Sequence, residues 1–169
     1  DIKKIYIIGQ DYSFGQVVSD TSIALLREKR PDIEIVGNEF HPIGQVKDFT
    51  PYVTKIVSSD ADAVITGNFG ADMVSLARSI IDSGLDIPIY TFYAAYDGIT
   101  ATLGADGVDK IYLVHNDAGN PIPTEERLAY TRNFKRLNPN NDMTQFRITN
   151  ALQMLVQAMA EKERALMVL

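Results

Sequence analysis

Residues 3–20 read KKIYIIGQDYSFGQVVSD, and this stretch indicates the fold class. Its first part, Lys4–Gly9, is rich in β-branched and aromatic residues and ends at a glycine, as a short buried strand does. A helical pattern follows to about Lys29, and the pair Pro31-Asp32 stops it. A strand that leads directly into a helix is the repeating unit of α/β proteins. On the core face of this helix we expect four apolar side chains: Val17, Val18, Leu25 and Leu26.

The same alternation continues to about residue 115. Strands are predicted at 33–40, 63–66, 87–92 and 108–114, and helices at 49–59, 71–83 and 97–103. Strands separated by helices need crossover connections, which produce a parallel sheet covered on both faces. We therefore predict a doubly wound α/β fold for residues 1–115, with a parallel sheet and helices on both of its faces.

Residues 116–169 follow a different pattern. A turn-rich connector leads to a helix from Glu125 to about Leu137, and a longer helix is predicted at 144–165. No strand separates these two predicted helices, so they do not continue the βα alternation. They either cap the sheet or belong to a second lobe. One face of the longer helix carries an apolar stripe of Ile148, Leu152, Leu155 and Met159.

Composition excludes several classes of function. The 169 residues include 16 Lys and Arg against 22 Asp and Glu, a net charge of −6 that argues against a nucleic-acid partner. There is no Cys, which removes disulfides, thiolate catalysis and Cys-based zinc sites. The longest apolar run is far below the roughly 20 residues that span a bilayer.

The candidate ligand-binding residues follow the predicted strands. Ligands of open parallel sheets bind beyond the carboxyl ends of the strands, so the loops at that edge are the informative ones. Aromatic residues are concentrated there, which predicts a cleft that encloses an organic ligand. The competing interpretation is that these rings only pack under the starts of helices. The candidates after the first, third and fourth strands are Tyr12, Phe14, Asn68, Phe69, Tyr93 and Tyr96.

Signals for catalysis or metal binding are weak. There is no GxGxxG or GxxxxGK[ST] motif, and Ser13 beside Asp11 lacks the GxSxG surroundings of a nucleophile. The two histidines, His41 and His115, fall on different predicted loops and are expected at solvated or edge positions. The carboxylates of Asp60, Asp62 and Asp72 are expected to serve as turn and helix-cap residues. We predict no catalytic site, no metal and no cofactor.

The quoted stretch also resembles a known family. It is similar to the start of the second lobe of type I periplasmic solute-binding proteins, in particular the leucine/isoleucine/valine-binding receptors of ABC importers. Three further stretches agree with this family in order and spacing: residues 49–90, 104–114 and 124–140. The resemblance covers nearly the whole chain.

The resemblance implies a receptor of two α/β lobes that close over a ligand without any chemistry. Residues 1–115 would form one lobe, and residues 116–169 would be a crossover and helix pair that packs on the other lobe. This sequence is then expected to be a fragment of a longer protein. The family further implies a periplasmic or extracellular location and an ABC permease in the membrane as the partner.

The resemblance also suggests roles for individual residues. Aromatic ligand contacts of the family fall on Phe14 and Phe69, and its acidic residue, which holds an amino-acid ammonium, falls at or next to Tyr93. Residues 91–96 read TFYAAY, so no carboxylate occurs before Asp97. An ammonium buried without a counter-charge is costly. We therefore expect a small organic carboxylate without an amine, such as an aromatic acid, rather than a standard amino acid.

Two alternatives share this fold class. A ligand-sensing effector domain of a transcriptional regulator or receptor has the same architecture, because fold alone does not determine function. A helix-turn-helix segment upstream in the gene would indicate the regulator, and a signal peptide would indicate the importer. A flavodoxin-like enzyme would need a phosphate-binding loop after the first strand, which QDYSFG fits poorly.

Overall fold

A parallel sheet flanked by helices makes up most of the structure, a computed structural model that describes residues 2–94, 99–114, 124–139 and 146–166. The strands are β1 (Lys4–Gln10), β2 (Glu34–His41), β3 (Ala63–Thr66), β4 (Ile89–Thr91) and β5 (Ile111–Leu113). The helices are α1 (Ser13–Lys29), α2 (Thr50–Ser58), α3 (Gly70–Asp82), α4 (Ile99–Leu103), α5 (Glu125–Leu137) and α6 (Phe146–Leu166). The predicted order of elements is confirmed, although β4 and β5 are shorter than expected.

The strand order determines where a ligand crevice can form. The five strands are parallel and lie in the order β2-β1-β3-β4-β5. The chain leaves β1 toward β2 on one side, and it returns to β3 on the other side. The loops after β1 and β3 therefore separate, and a crevice opens between them at the carboxyl edge of the sheet.

The two faces of the sheet support two cores. On one face, Tyr6 and Ile8 of β1 pack with Val53 and Ile56 of α2 and with α3. On the other face, Ile5 and Ile7 pack with α1. Alternate residues of β1 thus serve opposite cores, as period-two geometry requires. The predicted α/β fold with helices on both faces is confirmed.

The buried face of α1 differs from the expectation. Val17 and Leu25 are exposed, whereas Val18 is buried and Leu26 is partly buried. The face against the sheet begins with the small residues Gly15 and Ser19. Small residues allow the helix to approach β1 closely, and a pattern based on large apolar side chains does not detect them.

The last two helices keep apolar surface exposed. Residues 151–161 of α6 are exposed throughout. Large apolar side chains on this helix include Leu152, Met154, Leu155, Val156 and Met159. Ile148, also predicted on the apolar stripe, has a side chain outside the described residues. Within the described part of the chain, no helix has the length and hydropathy needed to cross a bilayer.

Replacing Gly15 by Ala tests the close approach of α1 to β1. A Cβ at Gly15 would overlap the backbone carbonyl oxygen of Gln10, which cannot rotate away. The free energy of unfolding should fall by about 1–3 kcal/mol, the usual cost of overpacking. Gly9→Ala is the matched control, because a Cβ there has its nearest neighbours at 3.8 Å. Urea denaturation measures both; equal stability of the two variants would contradict this packing.

Candidate functional site

Four aromatic side chains from three loops form a closed ring at the carboxyl edge of the sheet. Tyr12 lies 6.2 Å from Phe14 and 6.1 Å from Phe69, measured between ring centroids. Tyr93 completes the ring, at 5.6 Å from Phe14 and 6.1 Å from Phe69. These tilted and edge-to-face contacts are the favourable geometry for aromatic pairs. We call this group the aromatic face.

The starts of two helices place three of these rings. Tyr12 and Phe69 are the N-cap residues of α1 and α3, and both have extended backbones. Phe14 lies in the first turn of α1. Neither N-cap side chain accepts a hydrogen bond from its helix, so the first-turn N–H groups of both helices lack a side-chain cap.

Two threonines at strand ends turn the chain toward the aromatic face. The Thr66 hydroxyl at the end of β3 accepts a hydrogen bond from the Asn68 backbone N–H at 3.1 Å. The Thr91 hydroxyl at the end of β4 does the same for the Tyr93 N–H, at 3.4 Å. Both threonines are buried. The same hydrogen bond to a strand-end threonine therefore places residues of two adjacent loops at the carboxyl edge of the sheet.

The aromatic face is partly open to solvent. Phe69 is 40% exposed, and the other three rings are half-buried. Phe92 also touches Phe14, at 6.4 Å, so part of the aromatic cluster does pack under the start of α1. The structure thus brings together Tyr12, Phe14, Phe69 and Tyr93, whereas Tyr96 lies outside the described residues.

The pKa of Tyr12 reflects its place in the aromatic face. Burial raises the pKa of Tyr12 above its ordinary value, and the neighbouring Tyr93 phenol raises it further. Burial raises this pKa because a Tyr12 phenolate among the other aromatic side chains would lose hydration. Tyr93 raises it because a second phenolate there would repel the first. The Tyr12 hydroxyl therefore remains protonated at neutral pH and can donate a hydrogen bond.

Asn68 is also one of the six predicted ligand residues, but its side chain is not part of the aromatic face. Its side chain is fully buried and contacts the equally buried His41, with the Asn68 Nδ2 atom 2.8 Å from His41 Nε2. Beside them, the Asp72 carboxylate accepts hydrogen bonds from Gln10 Nε2 at 2.7 Å and from the Gly44 backbone N–H at 2.8 Å. We call Gln10, His41, Asn68 and Asp72 the buried polar network.

Sequence reasoning missed most of this network. His41 ends β2, an edge strand of the sheet, but it is fully buried between Asn68 and the Phe49 ring, so the expectation of a solvated histidine is wrong. Asp72 does lie in the first turn of α3, but it is buried and binds a strand residue and a loop. Their position in the sequence could have identified two of these residues, because Gln10 and His41 are the last residues of their strands.

The remaining chemical candidates do not assemble into a site. The Asp11 carboxylate accepts a hydrogen bond from Gln16 Nε2 at 3.1 Å. Asp62 accepts the backbone N–H groups of Lys3 and Lys4, which lie 59 and 58 positions away, so it links two segments of the chain and does not act as the predicted local turn residue. In the described part of the chain, no group of three His, Asp or Glu residues is arranged to hold a metal ion. His115 lies outside the described residues.

An open aromatic face at the switch point of a parallel sheet is the arrangement of a small-molecule-binding α/β domain. A family model described as periplasmic binding protein matches residues 1–164, and the chain belongs to that family. The Leu/Ile/Val-binding protein homolog 4 of Brucella abortus is 27% identical over 135 residues, which cover 80% of this chain and 32% of the relative.

Solved structures agree with this assignment. The leucine-, isoleucine-, valine-, threonine- and alanine-binding protein of Brucella ovis, in a closed conformation, matches with a TM-score of 0.66 and 27% identity, over 79% of this chain and 33% of that chain. An ABC-transporter solute-binding protein from R. palustris in complex with benzoate matches with a TM-score of 0.66 and 20% identity, over 80% and 36% of the two chains. The chain spans about a third of the length of these relatives.

Titration of Tyr12 tests the geometry of the aromatic face. Tyr93→Phe removes the neighbouring ionisable phenol, so the pKa of Tyr12 should fall, yet remain above about 10 because burial is the larger cause. The ζ-carbon signal of ¹³C-labelled tyrosine, followed by NMR across pH, measures this. Tyr112→Phe, which removes the partner of Tyr90 instead, should leave the titration of Tyr12 unchanged. An equal response in the two variants would contradict the contact.

Proposed function

We propose that this chain forms one ligand-binding lobe of a solute receptor of an ABC importer. Its ligand would be a small organic carboxylate that lacks an amine, such as an aromatic acid, bound against the aromatic face. The observation that carries this proposal is the closed ring of Tyr12, Phe14, Phe69 and Tyr93, none of which is a carboxylate or a basic residue. An aromatic ligand gains from edge and stacking contacts there, whereas an ammonium would find no counter-charge in the ring.

Helix electrostatics support an anionic ligand. The N-termini of α1 and α3 both begin at the aromatic face, and neither has a side-chain cap. A helix N-terminus carries a partial positive charge and free N–H groups, which favour a carboxylate and oppose an ammonium. Two acidic side chains lie near these N-termini: Asp11 is held by Gln16, and Asp72, in the first turn of α3, is buried and accepts hydrogen bonds from Gln10 and Gly44.

The remaining parts of the proposal concern the complete protein. Residues 1–115 would form the lobe, and residues 116–169 would pass to a second lobe, on which the exposed apolar side chains of α6 would pack. The two lobes would close over the ligand, and an ABC permease would recognise the closed form. Such a receptor works outside the cytoplasmic membrane, in the periplasm or the extracellular space, and catalyses no reaction.

Ligand binding by the full-length protein tests this function. Isothermal titration with benzoate, 4-hydroxybenzoate and leucine should give binding for the aromatic acids and none for leucine. Phe69→Ala and Tyr93→Ala should each weaken binding by roughly 1–3 kcal/mol, the range for aromatic contacts at a binding hot spot. Tyr112→Ala is the matched control, because it removes an aromatic ring from β5, away from the aromatic face.

The outcomes are distinct. Binding of leucine would show that a carboxylate, such as that of Asp97, reaches the ligand's amine, and the amine-free ligand class would be wrong. Unchanged affinity in both aromatic variants would contradict the assignment of the aromatic face. A helix-turn-helix segment in the gene, in place of a signal peptide, would contradict the importer role and favour a regulator.

A further inference from the structure

We propose that the buried polar network positions the aromatic face for ligand binding, with Asn68 and Asp72 as its positioning residues. This inference rests on the proposed function. It assigns a role to residues that do not touch the ligand themselves, and it includes the loop at 42–48 in the binding lobe. The network thus determines how well the face is formed before a ligand arrives.

The network joins elements that are distant in the sequence. Gln10 ends β1, His41 ends β2, Asn68 follows β3, and Asp72 lies in the first turn of α3. The Gln10–Asp72 bond links residues 62 positions apart, and the His41–Asn68 contact links residues 27 positions apart. The network therefore ties together the ends of three strands, on both sides of the switch point.

The residues of the network lie close in the sequence to the rings of the aromatic face. Asn68 directly precedes Phe69, and Asp72 follows Phe69 by one helical turn, so the Phe69 backbone is held on both sides. Gln10 lies two residues before Tyr12, whose N–H donates to the Gln10 carbonyl at 2.9 Å. A shift of the network would therefore move both N-cap rings.

The hydrogen bonds of the His41 ring agree with a fixed orientation. Its Nδ1 atom lies 3.3 Å from the Pro42 carbonyl oxygen, which can only accept a hydrogen bond. Its Nε2 atom lies within hydrogen-bond distance of both polar atoms of the Asn68 amide, at 2.8 Å from Nδ2 and 3.1 Å from Oδ1. The rings of Phe49 and Tyr52 pack on His41 at centroid distances of 4.9 and 5.7 Å. The ring is thus held by directional contacts and by packing.

Asp72 also fastens the loop at 42–48. Its Oδ2 atom accepts both the Gln10 side-chain amide and the Gly44 backbone N–H. The side chain is only 4% exposed, whereas Gly44 and its neighbours 42–45 are exposed. One buried carboxylate oxygen thus connects a surface loop to the strand that precedes Tyr12. Displacing Asp72 would leave the Gln10 Nε2 group unpaired as well as Gln10 Oε1, which is already buried without a hydrogen-bond partner in the described structure.

A pair of substitutions at Asp72 separates positioning from general stability. Asp72→Asn keeps a side-chain oxygen that can accept both hydrogen bonds, whereas Asp72→Leu removes both acceptors at similar size. In the full-length protein, Asp72→Leu should weaken benzoate binding by roughly 10- to 100-fold, the effect of a displacement of about 1 Å. It should also shift the Tyr12 ζ-carbon NMR signal in the ligand-free protein. Asp72→Asn should retain the wild-type values of both.

Two further variants keep the test decisive. Ser19→Ala is the matched control: it removes a buried hydrogen bond of 2.9 Å to Asn38, outside the network, and should change neither readout. If Asp72→Leu does not fold, Asn68→Ala takes its place. Wild-type affinity and Tyr12 signal in folded Asp72→Leu or Asn68→Ala would overturn the inference, as would equal changes in Ser19→Ala.

The failure of this inference can be distinguished from failure of the proposed function. If the wild-type protein does not bind benzoate or 4-hydroxybenzoate, the ligand class is wrong. The Tyr12 signal of the ligand-free protein still reports whether the network holds the aromatic face. A signal that moves in Asp72→Leu but not in Asp72→Asn supports positioning, and a signal that moves in neither contradicts it.

Discussion

The structure depends on the pairing of β1 with a strand on each side. Ile5 of β1 faces Ile35 of β2 on one edge and Ala63 of β3 on the other, and both faces of β1 are covered by helices. The loops after β1 and β3 leave the sheet in opposite directions, so neither loop covers the carboxyl edge between these two strands. A crevice is therefore a consequence of the strand order, whatever side chains line it.

Two layers of side chains lie at this crevice, and they differ in polarity and in burial. The upper layer is aromatic, contributed by helix N-caps and by a loop, and its partly exposed rings can take up an uncharged, flat part of a ligand. The lower layer is polar and buried, and its hydrogen bonds cross between loops. The uncapped N-terminus of α1 adds a positive potential near the same edge, whereas the Asp72 carboxylate in the first turn of α3 offsets that of α3. The proposed ligand, with an aromatic ring and an anionic group, rests on the upper layer and on the N-terminus of α1.

The sequence predicted the parts of this arrangement that depend on local patterns. The bounds of β3 are as predicted, because a short apolar run identifies a buried strand. The face of α1 was predicted correctly only at Val18 and Leu26, because the rest of it uses the small residues Gly15 and Ser19. The buried polar network was missed because burial of a polar residue depends on a partner distant in the sequence, as for Gln10 and Asp72. Aromatic residues after strands could be placed at one edge, but their mutual contacts could not.

A crystal structure of the full-length protein with bound benzoate tests the central claim, that the aromatic face is the ligand surface of this lobe. The account predicts the benzoate ring in contact with Phe69 and Tyr93, at the carboxyl edge between β1 and β3. Benzoate bound elsewhere, without contact to any of the four rings, would contradict the account.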